Sequence, residues 1–211
     1  MKKTLLFLVG LGVAMTALAQ NPFTCTTEGA KLTYKTLDAK GKETSTSVMD
    51  ISKVVTSGDT FKITQTVQVF IGGTAFTEPV KSVSVVRDGN VEVNFGGLSL
   101  SAEGAGFILP KNLEVGTELP TGEVTVEMLG VKTKQDITSH KVVAQETITV
   151  PAGTYECYVV DRQYIANVLG LKVKGSTKTW YARGVGAVRT ETYDKKGKLS
   201  SSQVLAEVVL P

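Results

Sequence analysis

The sequence contains few of the residues from which most catalytic and metal sites are built. Its 211 residues include one histidine and two cysteines. Any Ser-His-Asp or Cys-His group would have to use His140, whose neighbours Asp136 and Ser139 lie outside any nucleophile-elbow glycine pattern. Two distant cysteines and one histidine cannot supply the ligands of a closed zinc site. We therefore expect no catalytic residue, no metal and no cofactor, and we predict that the protein is not an enzyme.

Net charge and long apolar runs are also scarce. The chain carries 23 basic and 20 acidic residues, and it is 42% hydrophobic and 20% charged, which is the composition of a globular protein. A formal charge of +3 lacks the electrostatic signature of nucleic-acid binding, so we expect no nucleic-acid partner. Its most apolar run, residues 5–18, is shorter than the roughly 20 residues of a membrane-spanning helix. We predict no transmembrane segment.

The amino terminus has the three parts of a signal peptide. Two lysines precede the apolar run, and Ala17-Leu18-Ala19 is a small-x-small cleavage site. We predict that residues 1–19 are removed and that the mature chain, residues 20–211, is periplasmic or extracellular. Without the two lysines the mature chain has a formal charge of +1.

The two cysteines, Cys25 and Cys157, permit more than one interpretation. Because cysteines in an oxidising compartment usually pair, we predict a disulfide between them that fastens the amino-terminal segment to the sheet. Two unpaired, buried thiols are the alternative. Lipidation of Cys25 would need a small residue and a short apolar triplet before it, and Pro22-Phe23-Thr24 is not such a motif.

β-Branched residues dominate the composition. The 27 threonines and 29 valines make up more than a quarter of the chain and favour strands. Apolar and polar residues alternate through most of the mature chain, as where Val83 and Val85 alternate with Ser82 and Ser84. This period of two is typical of half-buried antiparallel strands. We predict one all-β domain over residues 20–211, with about ten mostly antiparallel strands curved into an open barrel or a sandwich.

Turn residues occur at hairpin spacing between these runs. Asp88-Gly89 is the strongest turn, because both residues tolerate a positive φ. Asp38-Ala39-Lys40-Gly41 has a counterpart in Asp194-Lys195-Lys196-Gly197, which we interpret as shared turn chemistry rather than duplicated half-domains. Alternation fails over residues 96–120, where glycines accumulate. There we predict an excursion across the end of the sheet.

The most distinctive part of the sequence combines aromatic and basic residues. With a regular register, Trp180 lies on a lysine-rich face, and Arg162 and Tyr164 share a face of the preceding strand. Such faces bind anionic amphiphiles or sugars. We predict that Trp180, Tyr164 and Arg183 lie at the mouth or wall of a concavity and bind a small hydrophobic or amphiphilic ligand. Lysine stems over an exposed aromatic ring, or a bulge at Gly175 that returns Trp180 to the core, are the alternatives.

Four motifs resemble the TapB-like family of secreted bacterial proteins: EGAKLTY at 28–34, LEVGTELP at 113–120, VPAGTYECY at 150–158 and WYARGVG at 180–186. The resemblance implies an exported all-β domain without assigned activity, cofactor or catalytic residues. The expected curved sheet is more distantly similar to periplasmic lipoprotein-localisation factors, which hold acyl chains on a concave face. We therefore expect an exported, non-catalytic envelope protein that binds a small amphiphile, lipid or glycan. A structural or assembly component of the envelope without such a ligand is the alternative, and protein partners are open.

Overall fold

The computed structural model describes residues 21–94, 100–103, 108–128, 131–168 and 171–211. The predicted signal peptide, residues 1–19, lies outside the described residues. These residues contain strands and turns and no helix, and every strand pairing among them is antiparallel. The predicted single all-β domain with a mostly antiparallel sheet is confirmed. The fourteen strands are β1 (Lys31–Asp38), β2 (Glu43–Ser57), β3 (Thr60–Ile71), β4 (Thr74–Ala75), β5 (Val80–Arg87), β6 (Asn90–Asn94), β7 (Leu100–Glu103), β8 (Ile108–Leu109), β9 (Gly122–Met128), β10 (Val131–Val150), β11 (Gly153–Val168), β12 (Leu171–Ala182), β13 (Gly186–Asp194) and β14 (Leu199–Val209).

The strands form one open sheet made of two meanders. Its order is β7-β9-β10-β11-β12-β13-β14-β1-β2-β3-β5-β6-β8, and β4 pairs with β3 beside this path. The first and last strands join the meanders in the middle of the sheet, from Lys31 opposite Val209 to Asp38 opposite Ser201. The short strands β7 and β8 are therefore the two ends of the sheet, and both belong to the region in which alternation fails.

The predicted excursion is visible where its residues are described. β8 pairs with β6 at one end of the sheet, and the chain then runs to β10 near the other end. There the amides of Gly116 and Leu119 donate to the carbonyls of Val142 and His140, both at 2.8 Å. Leu113 and Leu119 are buried, so this segment packs across the end of the sheet as part of the core.

The hairpin turns form as their residues predict. Asp88 and Gly89 have φ angles of 52° and 81°, as a tight hairpin turn requires. A carboxylate oxygen of Asp38 accepts the amides of Lys40 and Lys42, and Asp194 does the same two and four residues ahead of it. The first turn joins β1 to β2, and the second joins β13 to β14. The two turns therefore share their turn chemistry.

Alternation identifies the strands correctly but not always the side that is buried. In β5 the small polar side chains of Ser82 and Ser84 are 1% and 2% exposed, whereas Val83 and Val85 are half-buried on the other side. Gln65 on the neighbouring β3 is buried on the same side as the serines, and Ser82 lies opposite it in the register. The inner face of this half of the sheet is therefore partly polar, which a dry hydrophobic core would not tolerate.

The predicted disulfide is wrong, because Cys25 and Cys157 are both free, buried thiols. Neighbouring side chains on a strand point to opposite faces of a sheet. Tyr158 packs edge-on against Phe23 of the amino-terminal segment, with ring centroids 5.7 Å apart, so Cys157 points to the other face. Burial raises the pKa of the Cys157 thiol to about 11, and the nearby Glu146 and Glu156 add to this shift.

Among the described residues, no helix is long and apolar enough to cross a membrane.

Candidate functional site

A cavity of about 460 Å³ lies on the inner face of the sheet. Eleven of the fourteen strands contribute side chains or backbone to it, from β8 at one end to β10 near the other. A single sheet can surround one cavity in this way only when it curls strongly. The curvature predicted from the sequence is therefore what creates the site.

Many of the side chains that line the cavity are apolar. They include Met49 on β2, Val67 on β3 and Val160 on β11. Phe23 enters from the amino-terminal segment, outside the sheet, and is 2% exposed. These side chains could cover the hydrocarbon part of a ligand but could not hydrogen-bond to it. The apolar wall is completed by Val91, Ile108, Leu109 and Val185.

Other residues of the lining carry hydroxyl and amide groups. Thr179, Thr190 and Gln203 lie side by side on three adjacent strands, and the Thr190 hydroxyl is 3.3 Å from that of Thr179. Thr177 and Gln65 also line the cavity. These groups donate and accept hydrogen bonds without a net charge.

Arg162 and His140 are the two side chains of the wall that can carry a positive charge. They lie opposite each other on β11 and β10. The Nδ1 of His140 is 3.0 Å from the carbonyl oxygen of Pro120 and must donate to it, because a carbonyl only accepts. Burial lowers the pKa of His140 below its ordinary 6.5, and the guanidinium of Arg162 lowers it further. His140 is therefore neutral near pH 7, and among the described lining residues Arg162 is the one charged side chain.

Tyr34 and Tyr181 also line the cavity. Burial raises the pKa values of both the Tyr34 and Tyr181 phenols above their ordinary 10. The phenols therefore stay neutral at physiological pH and act as polar tips on apolar rings.

The amino-terminal segment packs against the turn between β12 and β13. The guanidinium of Arg183 lies 4.4 Å from the ring centroid of Phe23 and donates to the carbonyl oxygens of Asn21 and Lys111. The Gly184 amide donates to the Pro22 carbonyl at 2.8 Å. Arg183 thus ties the amino-terminal segment to the segment that crosses the end of the sheet.

The structure does not bring the predicted ligand-binding residues together, and none of the three belongs to the described lining of this cavity. Arg183 reaches it only through Phe23. Trp180 is 8% exposed and lies on the opposite face, where its indole donates to Glu146 at 2.5 Å and Arg189 stands 5.4 Å from its ring. The irregularity that shifts the register here lies between Trp180 and Tyr181, not at Gly175.

Tyr164 lies at a second, shallower cavity of about 390 Å³. Its ring covers Gly175 on β12, and the walls include lysines and Tyr193. The Tyr193 hydroxyl donates to Glu191, and burial together with this carboxylate raises the Tyr193 pKa to about 12. That Trp180, Tyr164 and Arg183 bind a ligand stays a prediction.

Sequence reasoning did not select the polar residues of the main cavity. Ser84, Gln65 and the threonines of β12 and β13 look like the solvent side of ordinary strands. One signal was available: Arg162 shares a face of β11 with Tyr158 and Tyr164, and such a charged residue needs solvent, a partner or a ligand.

Fold and cavity together define a class of protein: a strongly curled, open antiparallel sheet whose inner face surrounds a cavity of mixed polarity. The chain belongs to the DUF3108-like family, whose model matches residues 27–205. The match covers most of the chain, and the TapB-like name is not confirmed.

Two solved structures are similar over nearly their whole length. One is a protein from Bacteroides fragilis described as exported and as having a YmcC-like fold, with a TM-score of 0.77 and 20% identity. The other is a protein from Parabacteroides distasonis described as a lipoprotein, with a TM-score of 0.77 and 21% identity. Each alignment covers 90% of this chain and 99% of the other. At these identities the likeness shows the fold, and no curated protein matches the sequence.

Proposed function

We propose that this protein is an exported, non-catalytic component of the cell envelope that binds one small amphiphile in the cavity of the curled sheet. The observation that carries the proposal is the lining, which combines apolar side chains with hydroxyl and amide groups. An amphiphile has the same two parts. A volume of about 460 Å³ is ordinary for a small-molecule site.

The strands support this function through their unusual inner faces. A sheet that only had to be stable would bury valines, yet β5 buries Ser82 and Ser84, and β3 buries Gln65 beside them. Buried polar groups cost stability unless they are hydrogen-bonded. Of these residues, Ser84 and Gln65 line the cavity, where a bound ligand or water can hydrogen-bond to them.

Export and the lack of catalysis rest on separate observations. Export is supported by the signal peptide predicted at residues 1–19 and by the descriptions of the two solved relatives. The non-catalytic part of the proposal rests on the sequence, whose one histidine and two distant cysteines fit no nucleophile or zinc pattern.

Native mass spectrometry of protein purified from its own host tests the proposal directly. We expect a mass excess that is lost on denaturation and that is identified as an amphiphile after extraction. Protein that carries the mass of the chain alone, and that binds no member of a panel of fatty acids, fatty alcohols and glycolipids, would contradict it. That result would favour the structural or assembly component.

A pair of matched variants locates the ligand. Gln203→Trp places a large ring in the cavity, whereas Gln163→Trp places the same ring at an exposed position of β11. We expect Gln203→Trp to lose the mass excess and Gln163→Trp to keep it, with both variants folded by circular dichroism. Retention of the ligand by Gln203→Trp would show that the cavity is not the binding site.

A further inference from the structure

The charge of the main cavity is unbalanced. Arg162 is a permanent cation, and no aspartate or glutamate is part of the described lining. Its neighbour His140 is neutral near pH 7, and Nδ1 of that ring is engaged by the Pro120 carbonyl. The cavity therefore holds one positive charge without a protein counterion among the described residues.

Arg162 has a neighbour on each side in the sheet, yet its guanidinium lacks a hydrogen-bond partner at one nitrogen within the described residues. On β11 it stands between His140 of β10 and Thr177 of β12 in the register of the sheet, and all three side chains line the cavity. Its Nε atom is buried and has no hydrogen-bond partner within the described residues. A guanidinium presents its N–H groups in a rigid fork, and this side chain lines the cavity with part of its hydrogen-bonding capacity unused within the described residues.

We propose that Arg162 binds the anionic oxygen atoms of the ligand, so that the amphiphile is an acid whose carboxylate, phosphate or sulfate pairs with this guanidinium. This inference rests on the proposed function and names the chemical class of its ligand. Planar recognition by two parallel N–H···O bonds is the arrangement that an arginine fork favours. The nearby hydroxyl groups of Thr177 and Thr179 supply further donors to the same head group.

The hydrocarbon part of such an acid has a matching wall. Val160 is two residues before Arg162 on β11 and therefore on the same face, and it belongs to the apolar lining. Met49, Val67 and Phe23 extend that apolar surface on other segments. An acid group at Arg162 with a chain along these residues satisfies the polar and the apolar lining at once.

Isothermal titration with a long-chain fatty acid and with the fatty alcohol of the same length tests the inference. The two ligands share the chain and differ in the charge of the head. For the wild-type protein we expect the acid to bind about tenfold or more tightly than the alcohol, as for a charge-assisted pair. Equal affinities would overturn the assignment to Arg162 while leaving the binding function intact, and binding of neither ligand would overturn both.

Variants assign the difference to one residue. We expect Arg162→Gln to remove the preference for the acid and to leave the affinity for the alcohol within about twofold. Arg162→Lys keeps the charge without the fork and should retain part of the preference. Arg87→Gln is the matched control, because Arg87 is exposed at the end of β5 and should change neither affinity. Loss of acid and alcohol binding together in Arg162→Gln would contradict a specific contact with the acid group.

Inorganic phosphate distinguishes an acidic amphiphile from a free anion. We expect phosphate alone to bind the wild-type protein far more weakly than the fatty acid, since it cannot use the apolar wall. Tight binding of phosphate that is lost in Arg162→Gln would support the anion site at Arg162 but would overturn the amphiphile as its ligand.

Discussion

Replacing Phe23 by alanine tests whether the amino-terminal segment is part of the folded core. The Phe23 side chain is 2% exposed, packs edge-on against Tyr158 at 5.7 Å and lies 4.4 Å below the guanidinium of Arg183. Truncating a buried phenylalanine to alanine costs about 3–5 kcal/mol, which includes the lost ring contacts. For a domain of this size each kcal/mol lowers Tm by roughly 2–4 °C, so Phe23→Ala should lower Tm by roughly 6–20 °C.

Urea denaturation and thermal melting of the mature chain measure this effect, and the chain contains its own control. Phe76 is 61% exposed, and Phe76→Ala should change the free energy of unfolding by no more than about 0.5 kcal/mol. A double-mutant cycle with Arg183→Gln should give a coupling energy of about 0.5–2 kcal/mol. A loss below about 1 kcal/mol for Phe23→Ala, or additive effects in the cycle, would refute the packing of this segment against the sheet.

Three further predictions concern the two cysteines, His140 and Gly175. Thiol titration of denatured, unreduced protein should find both Cys25 and Cys157 free, and recovery of a disulfide would contradict this. In the native state Cys157 should react slowly at pH 8, because burial raises the pKa of its thiol to about 11. The lowered pKa of His140 makes the folded protein bind fewer protons than the unfolded chain, so the free energy of unfolding should fall as the pH drops from 6.5 to the lowered pKa. His140→Gln should flatten this pH dependence in urea titrations at several pH values. Identical pH dependences for the wild type and the variant would contradict the prediction. Gly175→Ala would place a Cβ 2.7 Å from the hydroxyl of the tyrosine that covers Gly175 and 3.0 Å from a backbone carbonyl oxygen. The substitution should therefore lower the free energy of unfolding, measured in urea, by about 1–3 kcal/mol. An unchanged value would show that the tyrosine ring does not pack against Gly175.

The local sequence by itself determined the strands and their turns. Alternation marked the strand runs, because successive side chains of a strand must point to opposite faces. Asp38 and Asp194 marked two hairpins, since each carboxylate accepts the amides two and four residues ahead of it. Asp88-Gly89 did so for a third, through its positive φ angles. These features depend on neighbours along the chain, so they can be recognised without knowing the rest of the fold.

Only the tertiary structure decided which face is inside and which residues meet. The β1–β14 pairing, with Lys31 opposite Val209, has no local signal, because its partners lie far apart in the sequence. That Ser84 and Arg162 line the same cavity likewise follows from the curl of the whole sheet. Neither the position of Trp180 on the opposite face nor the free state of the two cysteines can be read from the local sequence. A period of two distinguishes the faces of a strand, but the curl of the whole sheet selects the inner one.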